Sequence, residues 1–214
     1  MENRTAEFAQ AFAAQAEGSR GLLSLHQYEL LFEMTTQLLA AQSIDEQTSL
    51  VLDTLTAGLG CASAAVALVE RPRGVLRVRG AAGFADDEAL AGLELPLDSN
   101  APQVRVVHDG RPAWLAREDE AAAEFLKQVG ARTDVLALPL FGGQLHAEPR
   151  AAGETTGPLR GADSTERFWL PQSLSTGALY VGVPRGEMAG SQLDLLTRYA
   201  DRIGAILSHT AHVE

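Results

Sequence analysis

The chain has 214 residues, 46% of them hydrophobic and 21% charged, with a formal net charge of −11. This is the composition of a globular chain long enough for one generous domain, and its acidity argues against nucleic acid or an anionic membrane as the main partner. No run approaches the roughly 18 consecutive apolar residues of a membrane span, and the N-terminus "MENRTAEFAQAFAAQAEG" lacks the basic start and apolar core of a secretory signal. A single cysteine, Cys61, excludes an intramolecular disulfide and fits a reducing compartment, so a cytoplasmic location is expected.

Residues 1–21 are Ala-rich and polar and read as an N-terminal extension, either a loose helix or disordered. From Leu22 to Ala41 the pattern is helical. Leu25, Tyr28, Phe32, Thr35 and Leu39 follow a 3-4 spacing, and Leu31, Met34 and Leu38 form an adjacent apolar row, enough for two partners at once. In "SIDEQTSLVLDTLTAGLG", Ser43 and Glu46 have the spacing of a capping box, Leu52, Leu55 and Leu59 continue a buried face, and Gly58 and Gly60 close the helix. "CASAAVALV", Cys61–Val69, is a continuous apolar run of strand length, best placed centrally in a sheet. "ERPRG" turns the chain into "VLRVRG", where apolar and Arg positions alternate, so a hairpin is expected.

Further on, "FADDEALAG" suggests a short acidic helix and "LELPL" a short strand. "NAPQVRVVHDGRP" reads as a helix with Pro102 in its first turn and a stop at Gly110. "AWL" is another short strand, and "EDEAAAEFLKQVG" a helix with acids at its start and Lys127 near its end, matching the helix dipole. "VLALPLFGG" (135–143) and "GALYVG" (177–182) are strands. The closing helix, "SQLDLLTRYADRIGAILSHT", carries Leu193, Leu196, Ala200, Ile203 and Leu207 on one stripe with Leu195, Tyr199 and Ile206 beside it. The order of elements argues for an α+β layer with an antiparallel sheet, and no linker divides the chain.

Five segments in this order resemble a GAF domain, the small-molecule-binding sensory module of signalling proteins. They are the paired helices before the sheet, "ASAAVALVERPRGVLRVRGAAGF", "LPLDSNAPQVRVVHDGRPAWL", "VLALPLFGG" and "GALYVGVPRGEMAGSQLDLLTRYADRIGAIL". Within them stand Gly110-Arg111-Pro112 after the middle helix and Pro139-Leu140 inside the fifth strand. The resemblance implies a single GAF-like domain over residues 22–212: a six-stranded antiparallel sheet, terminal helices packed on one face, and short helices and loops over the other. It also implies a ligand pocket under those short helices and homodimerisation through the terminal helices. The dimer residues expected on this basis are Leu25, Tyr28, Phe32, Leu39, Leu196, Ile203 and Leu207.

Reduction of methionine sulfoxide, known in GAF-like enzymes, requires several cysteines, and Cys61 has no resolving partner and sits among small apolar residues as a packing group would. Bilin attachment needs a cysteine near the pocket roof, and residues 80–130 contain none. The Asn-Lys-Phe-Asp-Glu signature of cyclic-nucleotide-binding members is missing. His108 lies in the roofing segment, where a haem or metal role competes with a plain contact to terminal carbonyls. The other histidines show no ligand spacing, so neither metal nor cofactor is expected. The arginines of "RPRGVLRVRG" admit an anionic ligand, an acidic partner or a charge-protected edge strand; Arg77 and Arg79 should share one face. Candidate pocket residues are Arg79, Phe84, Val104, His108, Trp114 and Phe125.

The 36 residues from 142 to 177 form a long inserted loop in place of a short hairpin turn. Residues 145–165 are expected to be mobile, and Phe168, Trp169 and Leu170 to dock on the sheet edge or a partner. The expected function is a non-catalytic sensory or regulatory domain that binds an unknown small molecule or partner and signals through a homodimer to an effector domain or partner signalling protein. The alternative is a ligand-free scaffold acting through the inserted loop and the Arg-rich hairpin. A redox enzyme using Cys61 comes third.

Overall fold

The computed structural model describes residues 25–142, 175–183 and 190–211. The elements run α1 (Leu25–Ala40), α2 (Ile44–Asp53, extended by a π-helical turn Thr54–Gly58), β1 (Ser63–Glu70), β2 (Val75–Ala82), α3 (Asp87–Leu90), β3 (Glu94–Pro96), α4 (Pro102–Asp109), β4 (Ala113–Leu115), α5 (Glu120–Gln128), β5 (Val135–Phe141), β6 (Ser175–Gly182) and α6 (Gly190–Ala211). The six strands form one sheet in the order β3-β2-β1-β6-β5-β4, with every pairing antiparallel. Residues 143–174 are outside the described set; the flanking strands end at Phe141 and restart at Ser175, two residues earlier than the expected Gly177.

Local chemistry explains the boundaries. The Ser43 hydroxyl accepts from the Glu46 N–H, and the Glu46 carboxylate accepts in return from the Gln42 N–H, a reciprocal cap displaced by one residue from the ideal box. Pro102 opens α4 and Gly110, at φ +59°, ends it in the left-handed conformation. Asp86 and Asp119 cap α3 and α5 through their carboxylates.

Alternation along β1, β5 and β6 splits the core in two. Val66, Leu68, Leu136, Leu138, Leu140, Leu179 and Val181 face the layer of α1, α2 and α6, where Met34, Leu38, Val51, Leu55, Tyr199 and Ile203 meet them. Ala65, Ala67, Val135, Ala137, Ala178 and Tyr180 face the opposite side, under α3, α4 and α5. Helix α6 lies close on β5. A Cβ at Gly204 would come within 2.5 Å of the Phe141 nitrogen and 2.7 Å of its oxygen, so glycine permits this approach. Gln47 ties the three helices together, its amide nitrogen donating to the Leu38 carbonyl and the Thr210 hydroxyl.

Part of the expected dimer surface is used up within the protomer. Leu196, Ile203 and Leu207 are buried in the core between α6 and the sheet, because that helix has to cover β5 and β6. Both apolar rows of α6 are therefore spent on the fold, and those three residues are withdrawn as interface residues. On α1 the rows divide: Met34 and Leu38 are buried, whereas Phe32 and Leu39 are 76% and 68% exposed. The side chains of Leu25 and Tyr28, like the whole of Phe168, Trp169 and Leu170, lie outside the described residues.

Candidate functional site

The face away from the long helices is built from a floor of small residues and a roof of large ones. Ala65, Ala67, Ala137 and Ala178 keep the floor low, which leaves room above the sheet for Phe84, Leu90, Val106, Phe125, Leu126 and Val129 from the overlying loop and helices. Where they meet, Ala65, Val78, Phe84, Leu90, Phe125, Val129, Val135 and Tyr180 enclose a cavity of about 10 Å³, room for about one water molecule. The lining is apolar apart from the phenol of Tyr180. That hydroxyl donates to the Gln103 carbonyl at 2.7 Å, fastening β6 to the first turn of α4. Burial holds its pKa above the ordinary value, so it stays a neutral donor. The Tyr180 and Phe125 rings sit 6.0 Å apart at 51°, a tilted aromatic contact. Phe84 is positioned through its own backbone: the Asp87 carboxylate accepts from the N–H groups of Gly83 and Phe84 at 3.0 and 2.8 Å.

Two of the six expected pocket residues, Phe84 and Phe125, line this cavity. Val104 is buried on α4 but is not among the lining residues. The His108 ring nitrogen Nε2 donates to the Leu97 carbonyl, a tie between α4 and the loop after β3 rather than a contact to the carbonyls of a helix end. Trp114 points to the other side: it is paired with Leu136 and packs against the helix-side core, while its neighbour Leu115 enters the cavity-side core. Arg79 also leaves the set, because its guanidinium reaches Glu70 at 3.3 Å on the helix-side face. Ala65, Val78, Leu90, Val129, Val135 and Tyr180 are outside the expected set. Their signal in the sequence is the alternation of alanines in "SAAVALV" and "GALYVG", which marks one sheet face as low.

Cys61 is buried in the helix-side core, and burial pushes its thiol up to about 11. At neutral pH only about one molecule in ten thousand would carry the thiolate, which opposes a nucleophilic role. Among the described residues no group of three His, Cys, Asp or Glu side chains is placed to hold a metal ion, and no helix is long and apolar enough to cross a membrane.

No family model matches the sequence, and no curated protein does. Solved structures match over nearly the whole fold. The GAF domain of an Acinetobacter phosphoenolpyruvate-protein phosphotransferase is 9% identical with a TM-score of 0.62, covering 90% of this chain and 98% of its own. The corresponding domain from Coxiella burnetii is 14% identical, with a TM-score of 0.64 and coverages of 87% and 95%. A phycoerythrobilin-bound GAF domain from a cyanobacterial phytochrome is 14% identical, with a TM-score of 0.58 and coverages of 89% and 99%. The chain thus has the GAF fold, with its six-stranded antiparallel sheet and segregated helices.

Proposed function

We propose that this chain is a non-catalytic regulatory module of cytoplasmic signalling, in which an event on the cavity side of the sheet is passed through the strands to the long helices and on to an effector. The observation that carries the reading is the division of one sheet between two cores: a cavity-side layer of short helices, and a helical layer whose outer face presents Phe32 and Leu39 to solvent. Solved GAF domains of similar fold come from a phosphoenolpyruvate-protein phosphotransferase and a phytochrome, and residues 122 to 287 of a methyl-accepting chemotaxis protein share the fold, which supports a sensory role by analogy of fold. A small molecule entering the cavity would have to displace Phe84 or Phe125, and opening that roof is the conformational change to be transmitted.

A second reading has its own observation. With only about 10 Å³ left open, the cavity side is filled by the chain's own side chains, as suits a ligand-free scaffold that works by protein contact. A thermal-shift screen against nucleotides, amino acids and tetrapyrroles separates the two. A ligand present at 100-fold its Kd stabilises the folded state by about 2.7 kcal/mol, or about 5–10 °C in a chain of this size. No shift across the library contradicts the sensor and favours the scaffold. Homodimerisation through α1 is checked by light scattering of the full chain. Phe32→Glu with Leu39→Glu should convert a dimer to a monomer while leaving the melt unchanged, and a dimer that survives both substitutions removes α1 from the interface.

A further inference from the structure

The hairpin between β1 and β2 gathers arginines beyond what its own fold uses. Arg77 is paired with Leu68, which faces the helix-side core, so Arg77 and Glu70 project from that same face. Arg79 would ordinarily follow by simple alternation, but a bulge lies here: Val66 pairs with Gly80 and Ala67 with Val78, leaving Arg79 as the extra residue. Arg77 and Arg79 both reach Glu70, so Arg79 keeps the helix-side face that alternation gives it, and the bulge brings the adjoining Gly80 to that face as well. Gly80 beside it is the seat of α2, since a Cβ there would lie 2.8 Å from the Thr48 methyl group.

The carboxylates present do not satisfy this group. Arg73 is held fork to fork by Glu94, at 2.6 and 3.0 Å. Arg77 and Arg79 are left to share one oxygen, Oε1 of Glu70, at 3.5 and 3.3 Å, while its Oε2 lies 3.4 Å from Arg73. Three guanidiniums thus meet two carboxylates. The Arg79 Nε is buried and has no hydrogen-bond partner among the described residues. Both side chains remain open to solvent, at 39% for Arg77 and 30% for Arg79. A guanidinium offers five donors in a rigid fork that matches a carboxylate, so each of these two has an unused side.

We infer that Arg77 and Arg79 form a receptor for an acidic peptide segment of a protein partner, two of whose carboxylates seat on the two forks. The strand explains the choice of occupant. Residues two apart on a strand lie about 7 Å apart on one face, so an extended segment with Asp or Glu at alternate positions presents carboxylates at the spacing of the two arginines. The charge of the whole chain, −11, repels a long polyanion such as nucleic acid or an anionic membrane. A short segment feels mainly the local field, within a Debye length of about 8 Å at physiological salt. This site deepens the protein-contact reading above and stands on the hairpin alone, so a ligand-responsive cavity would leave it intact. Its place beside Thr48 puts an occupant next to α2, the helix that Gln47 ties to α1 and α6.

The test uses the full chain and a fluorescein-labelled acetyl-(Glu-Ser)4-amide peptide followed by anisotropy at physiological salt (about 0.15 M, where the Debye length is about 8 Å). Saturable binding is expected, weakening as salt rises. Arg77→Ala with Arg79→Ala should lose at least about tenfold in affinity, and Arg77→Lys with Arg79→Lys several-fold, because lysine keeps the charge but not the fork. Arg105→Ala with Arg111→Ala makes the same change in net charge on and just after α4, across the sheet, and should leave affinity within about twofold. Circular dichroism checks that each variant is folded, and if the alanine pair fails to fold the lysine pair decides. The inference is overturned by absence of saturable binding, or by equal loss in the Arg105 and Arg111 pair. It is also overturned if polyphosphate or phosphatidylserine vesicles displace the peptide more strongly than unlabelled peptide does, since the receptor would then be one for phosphate or lipid.

Discussion

The two faces of the sheet are made from the same strands and differ in what covers them. On one side three long helices bring Leu, Ile and Tyr199 onto a floor of Leu and Val, and helix α6 presses so close on β5 that position 204 must be glycine. On the other, alanines form the floor and short helices of 4 to 9 residues form the roof, held by single ties such as Tyr180 to Gln103 and His108 to Leu97. Long helices buried along their length open only with the whole fold, whereas short pieces joined by loops open locally. The difference is mechanical: the cavity side is built to yield and the helical side to hold.

Matched truncations test that contrast with the largest effects. Leu138→Ala, fully buried on the helix side, is expected to cost about 4 kcal/mol in urea unfolding, because rigid surroundings cannot close on the cavity. Leu126→Ala, equally buried under the short helices, is expected to cost about 2–3 kcal/mol, since its neighbours can settle inward. Equal losses would dissolve the distinction. A smaller effect sharpens the description of the ties. Tyr180→Phe removes one of the hydrogen bonds to the Gln103 carbonyl, an expected loss of about 1 kcal/mol. If the roof is held mainly at this point, exchange of the α4 amides should accelerate more than that of α6.

Alkaline pH probes the helical side. The thiol of Cys61 titrates at about 11 in the folded chain against 9.0 unperturbed. Folding therefore favours the protonated form. Stability from this group is fully present below about pH 9 and is lost as pH rises toward 11. The loss is on the order of 1–2 kcal/mol after allowing for partial solvation. Cys61→Ala should flatten the stability profile between pH 9 and 10, below the range in which the buried tyrosines titrate. An unchanged slope would mean that the thiol is not the group responsible.

Much of the fold was legible in the sequence because its signals are local and redundant. Pro102 and Gly110 bracket α4, Asp86 and Asp119 cap their helices, and the continuous apolar runs of β1 and β5 announce central strands. The site was less legible, since phase depends on pairing. In a three-residue strand such as "AWL" nothing local says which side Trp114 takes; pairing with Leu136 of β5 decides it. Alternation places Arg79 on one face with Arg77, but it does not say that this face carries Glu70 and α2 rather than the cavity. The apolar rows of α6 correctly mark a buried helix, but a row of Leu and Ile does not say whether a sheet or a second copy will bury it.

Native-state hydrogen exchange of the full chain tests the central contrast most directly. Amides of α3, α4 and α5 are expected to exchange through local openings several kcal/mol below the global unfolding free energy, while those of β1, β6 and the buried turns of α6 exchange only with global unfolding. If α4 and α5 are as protected as α6, both faces open as one unit, and the claim that the cavity side is the yielding half of this molecule is contradicted.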